Sequence, residues 1–379
     1  MKKLAIIGAS YLQEPLIKKA KEFGLETHVF AWECGDIGEK IADFFYPISI
    51  VEKELILEKC KEINIDGICT IASDLAVITV NYVANRMNLV GNSDECTLVS
   101  TNKYLMRQKF LECNDPSPKS ILVESISDLD IEKLNYPVIV KPIDRSGSRG
   151  ITKLENKNGL ETAIYKAKNQ GFEKKALVEE FVFGQEYSVE YITQNGFHNF
   201  LAITKKYTTG APMFIETGHL QPSELDIRII DKVKKIVEHA LSTLKIVNGA
   251  SHSEIKIDKD GNIKIIEIGG RMGGDFIGSN MVDISTGIDF VGAVIDVALG
   301  RKINLKPKHK GEAVAVRFIF SQKDIDVLKR VEKEHPEYIV AKEINELSGE
   351  VTDSASRHGF YLLRAPKVSD ICNYLPGII

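Results

Sequence analysis

Over the first hundred residues the chain switches between two kinds of run. Short, almost unbroken apolar runs, 4-LAIIG-8, 27-THVFAW-32 and 66-DGICTI-71, read as buried strands. Between and after them lie longer mixed stretches that read as helices over 15–23, 51–63 and 74–88. That rhythm predicts a parallel open sheet with helices on its faces. Ligands of such sheets gather beyond the carboxyl ends of the strands, here near Gly8–Ser10, Trp32–Glu33 and Ser73–Asp74. The first turn lacks the second and third glycines of a dinucleotide fingerprint, because Gly8 is followed by Ala9, Ser10 and Tyr11. Asp74 reads as a helix cap.

From about Ser100 the pattern changes. A helix is expected over 101–113, capped by Thr101 or Asn102. Strands are expected over 137–143, 151–154 and 176–182, with a helix over 158–170. The segments 186–193 and 197–207 flank Asn195-Gly196, a hairpin signal. Apolar residues at Ile229, Ile230, Val233, Ile236, Val237 and Ala240 mark a helix over 223–243, and another is expected over 285–299, ending at Gly300. Residues 216–222 read as a polar loop. Beyond Gly311, 312-EAVAVRFIF-320 and 359-GFYLLRA-365 suggest a small, mostly stranded unit.

With 379 residues, 44% of them hydrophobic, the chain has room for two or three domains. A net charge of −4 with mixed acids and bases argues against nucleic acid as a partner, and no apolar run reaches the length of a membrane span. No signal peptide is expected from the N-terminal pattern. Six cysteines, at 34, 60, 69, 96, 113 and 372, have no close metal-ligand spacing and read as reduced thiols of a cytoplasmic protein.

The groups that carry chemistry lie in four places. Runs 253-SEIKID-258 and 262-NIKIIEI-268 flank Asp260-Gly261. A two-residue turn there pairs Lys259 with Asn262 and sets Glu254 opposite Glu267. Two such carboxylates on one face either form a solvated acidic hairpin or hold something positive, such as a hard cation with oxygen ligands. Lys141 ends a strand and is followed by the loop Ser146-Gly147-Ser148-Arg149-Gly150, whose amides can cradle phosphate; a plain surface loop fits as well. In 178-VEEFVFG-184, backbone groups can face a purine edge while apolar side chains cover it. Finally, 269-GGRMGGD-275 implies close backbone approach around Arg271, which could clamp a carboxylate or phosphoryl group or pair with Glu267 or Asp275. His219 stands in the polar 216–222 segment, and His252 shares a side with Glu254.

In order and spacing, 73-SDLAV-77, 102-NKYLMR-107, 137-PVIVKPIDRSGSRG-150, 179-EEFVFGQEYSVE-190, 216-ETGHLQP-222, 252-HSEIKI-257 and 267-EIGGRMGG-274 resemble the ATP-grasp superfamily. The nearest likeness is to the biotin-carboxylase-like branch that includes bacterial L-amino acid (dipeptide) ligases. The resemblance implies an α/β and α+β ATP-grasp fold. A Rossmann-like preATP-grasp domain would span 1–100 and an ATP-grasp domain 101–300, with a flexible lid subdomain over about 115–180. A strand-containing extension would occupy 301–379.

Roles follow from the resemblance. Lys103 and Lys141 would contact ATP phosphates under the loop of Ser146, Gly147, Ser148 and Gly150. Glu179, Glu180, Phe181 and Val182 would form the adenine hinge, and Glu186 would accept from ribose. Glu254 and Glu267 would bind Mg²⁺, or Mn²⁺ in its place, and Arg271, Lys141 and His219 would be catalytic. Many members carry Glu-x-Asn-x-Arg, whereas this chain has Gly269 at the asparagine position. The implied activity is ADP-forming ligation of a small carboxylate, an amino acid among the candidates, to an amine through an acyl-phosphate. A purine-pathway ligase, a bicarbonate-dependent carboxylase and a nucleotide-binding regulatory protein are the alternatives. A homodimer is implied by resemblance alone.

Overall fold

A computed structural model describes residues 1–145, 147 and 149–375. The N-terminal strands β1 (Lys3–Ile7), β2 (Glu26–Phe30), β3 (Phe44–Tyr46) and β4 (Gly67–Cys69) form a parallel sheet in the order β3-β2-β1-β4. Helices α1 (Glu14–Glu22), α2 (Ile37–Ile41), α3 (Lys53–Ile63) and α4 (Asp74–Arg86) accompany it. Leu4 to Ile7 are fully buried, as expected of a parallel strand covered on both faces. Strand β3 and helix α2 were not anticipated; both are short, and β3 is half exposed.

Helix α5 (Asp94–Thr101) leads into α6 (Lys103–Glu112), with Asn102 between them. The Asn102 side chain accepts from the amides of Tyr104 and Leu105, which makes it the cap of α6 and ends α5. A second, antiparallel sheet follows: β5 (Ser120–Val123), β6 (Val138–Pro142), β7 (Thr152–Leu154) and β8 (Ala176–Glu180), in the order β5-β8-β6-β7. Helix α7 (Leu160–Gln170) packs on it through Leu160, Ala163, Ile164 and Ala167.

Among the described residues the largest sheet has eight antiparallel strands: β9 (Gln185–Gln194), β10 (Phe197–Thr208), β11 (Glu216–Gln221), β12 (Gly249–Ile257), β13 (Ile263–Gly269), β14 (Ala313–Phe318), β15 (Ile339–Ile344) and β16 (Gly359–Ala365). Their order is β13-β12-β9-β10-β11-β14-β16-β15, so the C-terminal strands extend this sheet. Helix α8 (Ile227–Thr243) lays Val233, Val237, Ala240 and Leu241 on it at helical spacing. The single helix expected over 285–299 is two, α9 (Val282–Thr286) and α10 (Phe290–Ala298). Gly287, at φ +75°, breaks the run, and Asp289 caps α10 through the Gly292 amide. Helices α11 (Gln322–Glu334) and α12 (Val368–Cys372) cover the C-terminal strands.

One apolar core joins the first and third sheets. Leu4, Ile6 and Val29 meet Ile192, Leu201 and Ala250 through Phe290, Val294 and Ile295 of α10. The carboxyl ends of the parallel strands are thereby fixed beside the large sheet, and the cleft lies at that junction. All six cysteines are free thiols, and burial pushes Cys60, Cys69 and Cys96 up to about 12. Among the described residues no helix is long and apolar enough to cross a membrane.

Candidate active site

A cleft of about 320 Å³ runs between the three sheets. Lys103, Lys141, Gly147, Glu179, Glu180, Phe181, Val182, Glu186, His219, Glu254, Glu267 and Arg271 all line it. Gly150 is half-buried, and Ser146 and Ser148 lie outside the described residues. Of the N-terminal strand-end residues, Asp74 lines the cleft, whereas Ser10, Glu33 and Ser73 do not.

The β12–β13 hairpin sets Glu254 opposite Glu267, by a different route from a simple two-residue turn. The turn holds three residues: the Asp258 amide donates to Asn262 O, and Gly261 takes φ +77°. A one-residue bulge at Ile266 then restores the 254/267 pairing. The longer turn keeps Ile255, Ile257, Ile263 and Ile265 together in the core, where a two-residue turn would have set Ile263 opposite Asp258 and Ile265 opposite Lys256. The bulge in turn presents both Ile266 and Glu267 to the cleft.

Each carboxylate of the pair has its own lysine. Lys103 Nζ donates to Glu267 Oε1 at 2.7 Å and to Arg145 O at 2.7 Å. Lys206 Nζ lies 2.5 Å from Glu254 Oε1, 3.2 Å from Glu186 and 3.8 Å from Glu216. Burial opposes charge on Glu254, but Lys206 and His252 outweigh it and hold the carboxyl well below its usual range. Lys206 is held well above its usual value by Glu254, Glu186 and Glu216, against the pull of burial. His252 donates to Glu190, which also accepts from the Gly273 amide at 3.0 Å. Although burial lowers it, Glu190 and Glu254 carry His252 up to about 9, so it is a cation at neutral pH.

Glu179, expected at the adenine hinge, has another position. Its carboxylate is buried between Arg107 Nε at 2.8 Å and Lys141 Nζ at 2.6 Å. Burial pushes its pKa up, yet the two cations keep it below the usual value. For Lys141 burial wins over Glu179 and lowers the pKa. Glu179 therefore anchors a lysine; beyond it Phe181 and Val182, with Ile266, give the cleft an apolar slot, beside Glu180, whose carboxylate pairs with Lys264 at 3.3 Å. Phe181 sits under Lys153 and Lys256, at 4.2 and 5.0 Å, with Phe183 edge-on.

Arg271 pairs with neither Glu267 nor Asp275. Its Nε and Nη2 make a two-pronged contact with Asp74, both at 2.8 Å. Asp74 is therefore not the helix cap expected; Ser73 caps α4 by accepting from the Ala76 amide. A Cβ at Gly269 would stand 2.6 Å from Asp74 Oδ1, so Asp74 occupies the space where an asparagine was expected. Asp275 accepts two bonds of 2.9 Å from Arg357 and lies 3.9 Å from His219 Nε2; burial raises its pKa, but His219 and Arg357 together outweigh it and hold the carboxyl well below the usual range.

The segment 216–221 is strand β11, not a loop, and His219 is 1% exposed. Burial lowers its pKa, leaving a neutral ring at neutral pH. Among the described residues neither ring nitrogen has a hydrogen-bond partner. Sequence reasoning missed Arg107, Lys206, Glu190 and Arg357. The alternation of 186–193 could have flagged Glu190 as an acid on a buried face; nothing local marked the others.

The lining of the cleft can be tested against a magnesium nucleotide. Among the described residues no cluster of three or more acidic, histidine or cysteine ligands forms, so a hard cation at Glu254 and Glu267 would need most of its oxygen ligands from a bound substrate and water. Lys103, Lys141, Arg149 and Arg271 line the same cleft, a set of cations of the kind that could meet a polyphosphate.

A family model described as an ATP-grasp domain matches residues 134–279. The chain is 26% identical over 297 residues to the alanine–anticapsin ligase of Bacillus subtilis, covering 69% of this chain and 62% of that protein. It thus spans less than two thirds of the length of the first curated relatives it matches. The crystal structure of an L-amino acid ligase from Bacillus licheniformis superposes with a TM-score of 0.84 at 22% identity, over 100% of this chain and 97% of that one. That of N5-carboxyaminoimidazole synthetase from Staphylococcus aureus complexed with ADP gives 0.80 at 16%, over 100% and 97%.

Proposed function

We propose that this chain, a member of the ATP-grasp superfamily, is an ADP-forming ligase that joins a small carboxylate, an amino acid by preference, to an amine. The observation that carries this reading is the convergence, in one cleft, of an apolar slot, two opposed carboxylates and a run of cations ending at Arg271.

Phe181, Val182 and Ile266 enclose the base of ATP, and Glu186 accepts from the ribose. Lys103 and Lys141 meet the phosphates, with Lys141 aimed by Glu179. Glu254 and Glu267 would hold Mg²⁺ (or Mn²⁺), and when bound the metal would supply positive charge against the phosphates. The substrate carboxylate attacks the γ-phosphorus, the bond to ADP breaks, and an acyl-phosphate forms. Arg271, locked by Asp74, stabilises the charge that develops on the transferring group. His219, whose ring nitrogens make no hydrogen bond among the described residues and whose Nε2 lies 3.9 Å from Asp275, offers a hydrogen bond to the substrate on the far side. Amine attack on the carbonyl then expels phosphate. The protein's work is positioning and exclusion of water.

The test is ADP release with Mg-ATP across a matrix of amino acids, other small carboxylates and bicarbonate, with product masses recorded. A product equal to two substrates less water supports the reading. ADP release that needs bicarbonate would favour the carboxylase alternative. Nucleotide binding without stimulated ADP release would favour a regulatory protein.

A further inference from the structure

His219 is buried with two acids at hand and bonds to neither. Its Nε2 lies 3.9 Å from Asp275 Oδ2, beyond hydrogen-bond reach, and Glu216 opens the same strand. A carboxylate this close ordinarily draws a proton onto an imidazole. The ring stays neutral because both acids are engaged elsewhere.

A single turn of the C-terminal unit engages them. Between β15 and β16, Asp353 caps residues 354–356 by accepting from the amides of Ala355 and Ser356, both at 2.9 Å. Arg357 Nε donates back to Ser354 O at 2.7 Å, which ties the two side chains of the turn together. Ser354 Oγ donates to Glu216 Oε2 at 3.0 Å. Arg357 gives Nη1 to Asp275 Oδ2 and Nη2 to Asp275 Oδ1, so each carboxylate oxygen has its own donor.

Phe318 of β14 sets the spacing. The Arg357 guanidinium lies 3.6 Å from its ring centroid, and His219 meets the same phenyl edge-on at 5.7 Å. The other charged groups around His219 are Lys206 on β10 and Glu216 on its own strand. Lys206 is held by Glu254, and its charge disfavours a proton on the ring. Tyr11 faces Asp275 and Arg357 from the N-terminal unit.

We infer that Arg357 is a positioning residue: by occupying both oxygens of Asp275 it holds that carboxylate off His219 and leaves a neutral imidazole, with one nitrogen to donate and one to accept. The C-terminal unit thereby takes a part in the site. What the two nitrogens meet rests on the ligase reading; the hold on Asp275 does not.

The test follows the imidazole itself. The full chain is labelled with ¹⁵N at histidine and the ring nitrogens are followed by NMR from about pH 5.5 to 8.5, the range in which an imidazole changes charge. The signal missing from His219→Gln assigns His219. In the unsubstituted protein this ring should stay neutral throughout. Arg357→Met leaves Asp275 a buried charge in need of another donor, and the His219 midpoint should rise by at least about one pH unit. Arg357→Lys, a point charge without the fork, should give a smaller rise. Arg357→Met combined with Asp275→Asn should return the ring to its neutral state. The other histidines report whether each variant is folded, and the lysine and double variants decide if Arg357→Met is not. With the carboxylate substrate found in the matrix, Arg357→Met should raise its KM at least about fivefold at neutral pH, and the double variant should bring it back to within about twofold. A ring that stays neutral in the folded Arg357 single variants, or one that is already a cation in the unsubstituted protein, would overturn the inference. A KM that stays raised in the double variant would also overturn it, because Arg357 would then act on substrate directly. If no carboxylate stimulates ADP release, the ligase reading falls, and the ring titration still decides whether Arg357 holds Asp275 off His219.

Discussion

At Glu179 one buried carboxylate serves two buried cations, Arg107 and Lys141. Removing its charge leaves both uncompensated, a change that costs about 3–5 kcal/mol. Glu179→Gln should therefore lower stability by that amount in urea unfolding and weaken ATP binding through loss of aim at Lys141. Unchanged stability would mean the pair is not formed. His252 gives a pH signature. Its folded pKa of about 9 lies above an unfolded value of about 6.5. The stability it contributes, about 3 kcal/mol, is fully present below pH ~6.5 and is lost as pH rises through about 9. The stability gap between the protein and His252→Gln should close over that interval; a gap constant with pH would contradict the Glu190 pairing. Gly269 gives a third test. Asparagine there would collide with Asp74 and free Arg271, so Gly269→Asn should cut ADP formation about 10²–10³-fold. A gain in metal affinity at full rate would show that the missing asparagine is merely a missing ligand. At this scale the sequence exposed residue types but seldom partners. Arg271 and the Glu254–Glu267 pair stood in readable local patterns, whereas Asp74 and Arg271 are 197 positions apart and nothing local links them.

Among elements, the β12–β13 hairpin is instructive because the Glu254–Glu267 pairing was anticipated with the wrong turn. The three-residue turn and the bulge offset each other, and only the apolar alternation of Ile255, Ile257, Ile263 and Ile265 distinguishes the two registers. Gly261 bears the left-handed conformation of that turn. Gly261→Val should destabilise the protein by about 1–2 kcal/mol, read from thermal or urea unfolding; no change would imply that the turn adjusts freely. Most helices and strands were legible because burial imposes a period. Strand β11 was not: its Glu-Thr-Gly-His-Leu-Gln run has polar residues on a buried segment, where Lys206, Ser285 and Thr204 receive them. Long-range satisfaction of polar groups leaves no periodic trace. Gly287 likewise divided a run whose apolar pattern continues on both sides.

In the whole molecule, three sheets bring separate parts of the site together. The parallel sheet supplies Asp74, the second sheet Lys141 and Glu179, and the large sheet Glu254, Glu267 and His219. The Asp74–Arg271 contact ties the first unit to the third within the cleft. The alternation of strands and helices announced the parallel sheet. It carried no information on how far the C-terminal strands extend the large one, because edge-to-edge pairing depends on distant partners. The central claim, that a carboxylate is activated by phosphoryl transfer in this cleft, has a direct test. The carboxylate substrate found in the matrix is labelled with ¹⁸O and turned over with Mg-ATP and the amine, and the released phosphate is analysed by mass. Passage through an acyl-phosphate leaves one carboxylate oxygen in each phosphate released. Unlabelled phosphate accompanying authentic amide product would contradict the mechanism.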